Sequence, residues 1–274
     1  MKVLVTGARG FLGSAVVSAL VRAGHDAVGA ARAAGEGCLA ADLGRPETVM
    51  ALLDSVQPDA IVNCAARVDF STNVLPGLFP VNVLVPALAA QWCHARDRYL
   101  VQASTIAVHG VKAAEAGEAI PEVPDTDYGR SKWLAEQNIA QAGCRAVVLR
   151  FGGLFGRHGP DHLGLNRALR SAIVGKIPTL TGGGSAKRNY VFVHDAAAVI
   201  AHCLERAPEG VRWVGGSEVL TIRQMLESMC DVYLDGARPE TAPGAEAADQ
   251  IVRHSPDLPA GRGFRAALEY ERTP

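Results

Sequence analysis

The sequence contains no C-x-x-C pair and no run of about 18 apolar residues, and neither sign of charge is in excess. The six cysteines (Cys38, Cys64, Cys93, Cys144, Cys203 and Cys230) are scattered. They spell neither a zinc motif nor a dithiol redox motif, and read as small buried hydrophobes of a reducing compartment. Lysine and arginine number 27 against 28 acidic residues, a net charge of -1. That balance gives no reason to expect nucleic acid or an anionic membrane as partner. The opening MKVLVTGARG has no apolar h-region ahead of a cleavage site and reads directly as a strand. His158-x-x-x-His162 spans Gly159-Pro160, so it reads as a loop and no metal site is expected. These absences lead to the expectation of a cytoplasmic globular protein whose partner is a small molecule.

What is present suits a folded domain. With 274 residues, 49% of them apolar and 20% charged, the chain can bury one large α/β core or a large unit with a small companion. Short β-rich runs alternate with amphipathic stretches, the pattern of a parallel sheet covered by helices. Strands are expected at Lys2–Val5, Ala27–Ala30, Ala60–Asn63, Tyr99–Gln102 and Ala146–Arg150. Helices are expected at Phe11–Ala23, Glu47–Ser55, Val85–Ala95 and Tyr128–Ala142, with Val111–Asp127 a loop. After Phe151 glycines dominate, with helices expected at Leu165–Val174, at Asp195–Glu205 and from Thr221, whose side chain and Gln224 suit a capping box. From Asp235 onward no regular element is legible. The division expected is a core over 1–152 and a second region over 153–274, with about 188–214 returning to the core.

The first strand runs into Thr6-Gly7-Ala8-Arg9-Gly10-Phe11-Leu12-Gly13 and then a helical pattern. Glycines at these three places allow a tight turn, a close approach to a pyrophosphate and close packing of helix on sheet. The helix N-terminus then offers its N–H groups and its dipole to the phosphates. The segment is read as the cofactor loop of a Rossmann doubly wound sheet, although its spacing is G-x-x-G-x-x-G rather than G-x-G-x-x-G. After the second strand stands Ala30-Ala31-Arg32, where a site selecting NAD usually has a carboxylate. Arg32, assisted by Arg9, suits a ribose 2′-phosphate and favours NADP over NAD; the alternative is a solvated loop arginine. Asp42 is either an acceptor for the adenine amino group or a turn residue ahead of Pro46.

Tyr128-Gly129-Arg130-Ser131-Lys132 places a phenol and an ammonium on one helix face. A cation beside a phenol is expected to lower its pKa and fit it to exchange a proton with a substrate oxygen. The strand Tyr99–Gln102 leads into Ser104 and Thr105, which compete for the role of a hydroxyl donating to a substrate carbonyl. An ordinary Ser/Thr turn is the plainer reading.

With these motifs in this order, the chain resembles the extended short-chain dehydrogenase/reductases, and among them the nucleotide-sugar epimerase, dehydratase and reductase group. The resemblance covers about residues 1–225 and rests on TGARGFLG, Asp42-Leu43, Ile61-Val62-Asn63-Cys64-Ala65-Ala66, Val81-Asn82, Ser104-Thr105, YGRSK and Arg188-Asn189-Tyr190-Val191-Phe192-Val193-His194-Asp195. It implies an α/β enzyme with a small C-terminal substrate-binding region. It implies cofactor contacts at Leu43, Cys64, Ala65, Ala66 and Asn82, the last more structural than chemical, and at Tyr128 and Lys132. It puts the reacting hydroxyl on Thr105, with Ser104 its neighbour, and the substrate against Thr105 and Tyr128. Arg188 matches an arginine used on a nucleotide-sugar pyrophosphate; the alternative is a surface arginine. The stretch from Gln57 to Asn82 also resembles dTDP-4-dehydrorhamnose reductases, which lack an arginine like Arg188. A homodimer through two helices per subunit is usual in the group.

Three departures refine the expectation. Ile106 and Ala107 stand where 4,6-dehydratases carry an Asp-Glu pair, so dehydration lacks its acid and base. His109 replaces a usual tyrosine, and the region beyond Asp235 is short for the group. The expected function is an NADPH-dependent keto reductase acting on a nucleotide-linked sugar. An epimerase with retained NAD is the alternative, and a reductase for another small carbonyl compound is a further one. An NADP-sensing scaffold is the reading of another class, and such a protein would be expected to have lost Tyr128 or Lys132.

Overall fold

Strand β1 (Lys2–Thr6) is buried from Val3 onward. In the computed structural model, which describes residues 1–272, it lies inside a seven-stranded sheet. The other strands are β2 (Asp26–Ala31), β3 (Cys38–Ala40), β4 (Ala60–Asn63), β5 (Tyr99–Thr105), β6 (Ala146–Phe151) and β7 (Gly210–Val214). Their order is β7-β6-β5-β4-β1-β2-β3, and the ladders joining β3, β2, β1, β4 and β5 are parallel. Every residue of β4 and β6 is buried, as expected of strands covered by helices on both faces. The order reverses between β1 and β4, so ligands are expected outside the C-terminal ends of these strands. The expected doubly wound α/β fold is observed.

Two strands escaped the sequence reading. β3 has only three residues and leans on β2, too short to show a period. β7 carries the sheet to its far edge through Arg212 and Trp213, whose polar flanks hide it.

The largest departure is a helix. Leu75–Arg96 runs for 22 residues, with an 18-residue stretch at a mean hydropathy of 1.3, although only Val85–Ala95 was expected. The segment carries Pro76, Pro80 and Pro86, and a π-helical turn over Pro80–Leu84 takes the chain through. By length and composition alone it is the one helix among the described residues able to cross a membrane. It packs as a core helix, with Leu78, Val83, Ala89, Ala90, Trp92 and Cys93 buried. Trp92 Nε1 donates to Asp54 Oδ1 at 2.9 Å, and Leu52, Leu53 and Trp92 share one apolar core with Leu4, Ile61 and Leu100. Each such side chain contributes roughly 1.5–3 kcal/mol on burial.

The chain divides into two units. The first comprises Met1–Val111, Pro121–Arg150 and Ala197–Arg212 and holds most of the sheet; the second takes Lys112–Ile120, Phe151–Ala196 and the chain from Trp213. The second unit is built from short ladders. Glu115–Ala116 pairs with Ile251–Val252, Leu154–Phe155 with Val191–Phe192, Thr179–Thr181 with Glu240–Ala242, and Lys187–Arg188 with Leu220–Thr221. Helices Gly164–Ile173, Ile222–Tyr233 and Phe264–Arg272 complete it. The expected capping box of Thr221 and Gln224 is formed. The region beyond Asp235 is more regular than expected, because strands of two or three residues are stabilised by partners more than 60 positions away.

Candidate active site

The glycine loop takes its shape from three backbone constraints. Gly7 has φ +67°, and a Cβ there would lie 2.8 Å from the Ala65 nitrogen. A Cβ on Gly13 would lie 2.1 Å from the Gly7 carbonyl oxygen, which also accepts from Gly10 N at 2.8 Å. Gly10 caps helix Phe11–Arg22 without any side-chain bond, and no acidic residue occupies the first turn. This leaves helix-end donors and a positive dipole facing outward, a cradle that fits a pyrophosphate. Ala8, Phe11 and Leu12 line the same turn, with Ala8 N bonded to Ala30 O at 3.2 Å.

Arg9 leaves the loop toward the end of β2. Its Nη1 donates to Ala34 O at 3.1 Å, two residues beyond the exposed Arg32. Asp42 is exposed beyond β3, and its Oδ1 accepts from Gly44 N at 3.1 Å; Leu43 is buried. Asp42 therefore forms the turn ahead of Pro46.

A buried polar chain crosses the strand ends. Thr6 Oγ1 donates to Asn63 Oδ1, Asn63 Nδ2 to Gln102 Oε1 at 2.8 Å, and Gln102 Nε2 to Ala103 O at 2.7 Å. Ala65 N donates to Thr6 Oγ1 at 3.3 Å, which fixes the turn of Cys64, Ala65 and the exposed Ala66. Asn82 is fully buried. Its Oδ1 accepts from Arg67 N at 2.8 Å, and its Nδ2 donates to Arg67 O and Ser131 Oγ, both at 2.9 Å. These bonds engage its amide, so Asn82 holds the Arg67 loop to the helix that carries Tyr128 and Lys132.

Thr126 caps helix Asp127–Ala142, accepting from Gly129 N at 3.0 Å. A Cβ on Gly129 would meet Ala107 O at 2.5 Å, so the helix start lies against the turn that follows Thr105. Tyr128 and Lys132 stand one turn apart. Lys132 is buried and its Nζ donates to Ala103 O at 2.6 Å. Burial brings its ammonium down to about 8, against the opposing pull of Glu136 and Cys64. Burial pushes the Tyr128 phenol up to about 12. The shift is opposite to the lowering expected from the lysine, and burial is its cause. The Cys64 thiol near Lys132 is also pushed up to about 12 by burial.

The two hydroxyls separate. Ser104 is buried and its Oγ donates to Glu136 Oε1. Thr105 ends β5, is half-buried, and its Oγ1 accepts from Ala107 N at 3.2 Å; its proton remains to be donated. Behind Ser104, Arg150 lies between Glu136 and Glu122, with Nη1 3.4 Å from His109 Nε2. None of Glu136, Arg150 and Phe70 was singled out in the sequence. Glu136 stands four residues after Lys132, a signal that was available; Phe70 shows its relevance only through packing against Tyr128.

In the second unit Arg188 is half-buried. Its Nη1 donates to Lys187 O at 2.9 Å and to Ala248 O, and its guanidinium also lowers the Tyr190 phenol against the upward push of burial. Arg188 is therefore partly engaged by the backbone. A cavity of about 590 Å³ opens in this unit between Leu165, Arg167, Pro178, Leu180, Tyr190 and Leu226.

Known proteins agree with this architecture. The dTDP-4-dehydrorhamnose reductase of Burkholderia thailandensis is 32% identical over 60% of this chain and 53% of its own length. A probable dTDP-4,6-dihydroxy-2-methyloxan-3-one 4-ketoreductase of Streptomyces antibioticus is 35% identical over 58% of this chain and 53% of its own. The chain thus spans about half the length of each of these relatives. The UDP-glucose 4-epimerase of Thermus thermophilus, solved with NAD, superposes with a TM-score of 0.79 at 26% identity, covering 100% of this chain and 99% of that one. The family model described as NAD dependent epimerase/dehydratase family matches residues 3–215. With the glycine cradle and the Tyr128/Lys132 pair on the predicted elements, the chain belongs to the NAD dependent epimerase/dehydratase family, among the extended short-chain dehydrogenase/reductases.

Proposed function

We propose that this protein is an NADPH-dependent keto reductase acting on a nucleotide-linked sugar. The observation that carries the cofactor choice is the end of β2, where Arg32 stands exposed and Arg9 reaches over to Ala34. Two guanidinium groups and no carboxylate suit a ribose 2′-phosphate. An exchangeable NADPH in turn suits net reduction better than a retained NAD that returns its hydride.

When bound, the dihydronicotinamide supplies a hydride to the keto carbon. Tyr128 donates its phenolic proton to the oxygen of that carbon, leaving a hydroxyl. A phenol held at about 12 is protonated at neutral pH, which is the form that reduction requires. The Thr105 hydroxyl donates to the carbonyl as charge builds on it. Lys132, anchored on Ala103 O, presents its remaining protons to cofactor hydroxyls. In the second unit the 590 Å³ cavity is within the size range of small-molecule sites. Arg188 is assigned to the substrate diphosphate, where it must exchange a backbone carbonyl for a phosphate oxygen. The buried Ile106 and Ala107 after Thr105 supply no acid or base for dehydration.

Mass spectrometry of the purified protein and NADPH oxidation across a panel of keto-sugar nucleotides test the reading. NADPH consumption that disappears in Tyr128→Phe is expected. Tightly retained NAD with interconversion of sugar epimers would instead establish the epimerase. Stoichiometric NADPH binding without oxidation would mark a cofactor-sensing protein.

A further inference from the structure

Helix Asp127–Ala142 grips β5 at two consecutive residues immediately before Thr105. Lys132 Nζ holds Ala103 O at 2.6 Å, and Glu136, one turn further on the same face, accepts from Ser104 Oγ. Glu136 is itself 4% exposed and Arg150 only 1%. Arg150 Nε lies 3.1 Å from Glu136 Oε2 and 3.3 Å from Oε1, and Arg150 Nη2 also bonds Oε2. The same Nη2 reaches Glu122, whose Oε2 accepts from Trp133 Nε1 at 2.9 Å. His109 faces Arg150 through Nε2 and Pro121 O through Nδ1, at 3.4 and 3.0 Å.

The charges in this cluster balance. Glu122 and Glu136 offset Arg150 and Lys132, while burial keeps His109 toward its neutral form. A buried carboxylate that is clamped by a guanidinium and two turns of protein cannot drift, so its hydrogen bond to Ser104 acts as a fixed stop. Lys132 has Glu136 and then Cys64 as its electrostatic neighbours, and burial holds the Cys64 thiol in its neutral form.

We propose that Glu136, backed by Arg150, is a positioning residue that sets Thr105 and Lys132 in place. It does so by fixing Ser104 beside one and by supplying the counter-charge that keeps the other an ammonium. This rests on the roles given above to Thr105 and Lys132. Neither Glu136 nor Arg150 need touch substrate or cofactor.

The test uses the full chain labelled with ¹³C at lysine ε-carbons, with Lys132→Met to assign the resonance. The wild-type Lys132 signal should titrate near about 8. Glu136→Gln leaves Arg150 its bond to Glu122 and should lower that midpoint by roughly one pH unit, with kcat falling about tenfold at nearly constant KM. Ser104→Ala keeps the charges, so the midpoint should stay while kcat falls several-fold, and this variant decides the positioning claim if Glu136→Gln does not fold. An unmoved Lys132 midpoint in a folded Glu136→Gln protein overturns the counter-charge, and an unchanged kcat in Ser104→Ala overturns the fixed stop. The lysine titration needs no turnover. A failure of the keto-reductase reading would therefore appear as an inactive wild type with the lysine shift intact.

Discussion

The ring of Phe70 meets the ring of Tyr128 edge-on, with centroids 5.2 Å apart and planes at 65°. Phe70 is nevertheless 45% exposed, so it borders whatever approaches the phenol. Its loop is tied to the tyrosine from both ends. Asn82 holds the Arg67 backbone, and Asp127 Oδ2 accepts from Val74 N and Leu75 N at 2.8 and 3.2 Å. Removing the ring admits water to a phenol that burial has pushed up to about 12. Phe70→Ala should therefore lower the Tyr128 midpoint, read as phenolate absorbance that is absent when Tyr128→Phe is added. The loss in stability should be about 1 kcal/mol, the scale of an aromatic pair. A phenolate titration identical to wild type would show that Phe70 does not shield the hydroxyl.

Cofactor choice is separable from turnover. A charge-assisted bond to a phosphate contributes roughly 1.5–3 kcal/mol, about ten- to a hundredfold in affinity. Arg32→Ala should weaken NADPH by that factor and leave NADH nearly unchanged, as measured by fluorescence titration. Arg9→Ala should do the same to a smaller degree, since its guanidinium also serves the Ala34 carbonyl. Equal losses for the two cofactors would place both arginines outside the 2′-phosphate site.

The glycine cradle tolerates no methyl group at its centre. In Gly13→Ala the new Cβ would sit 2.1 Å from Gly7 O, a backbone atom that cannot move without opening the turn. Dinucleotide binding should fall below detection by calorimetry, and unfolding should occur several degrees earlier. Gly24→Ala has open space around its Cβ but a φ of +79°. It should cost only about 1 kcal/mol and leave binding intact.

Acid should unfold the first unit through the cluster behind Ser104. Burial holds His109 below its ordinary value, and Arg150 holds the Glu122 carboxyl below its own despite partial burial. Both are depressed groups. The unfolded chain takes up their protons first, and the stability they give above that point is lost as pH falls through the folded values. The melting temperature should decline from about pH 6.5 downward, first through His109 and then in the carboxylate range. His109→Asn should flatten the upper part of that decline, and a pH profile unchanged by this substitution would remove histidine from the account.

Much of the fold lay in the one-dimensional pattern. Five of the seven strands and the helices at Phe11, Pro46, Asp127 and Thr221 were legible because apolar period, glycine placement and capping residues are local signals. β3, the segment from Leu75 to Leu84 and the ladders beyond Asp235 were not. A three-residue strand, a helix threaded by prolines and a two-residue ladder each owe their form to partners elsewhere in the chain.

The sequence by itself determined the chemistry on offer: a glycine turn after a first strand, Tyr128 and Lys132 one helical turn apart, and Arg32 where a carboxylate usually stands. Spacing along a strand or helix determines which side chains share a face, so those features needed no tertiary information. The tertiary structure decided how such side chains are held. It turned Ser104 toward Glu136, engaged the amide of Asn82, brought Phe70 to Tyr128, and set the phenol high and the ammonium low through burial. Hydrogen-bond partners and desolvation depend on distances between residues far apart in the chain, and only folding fixes those distances.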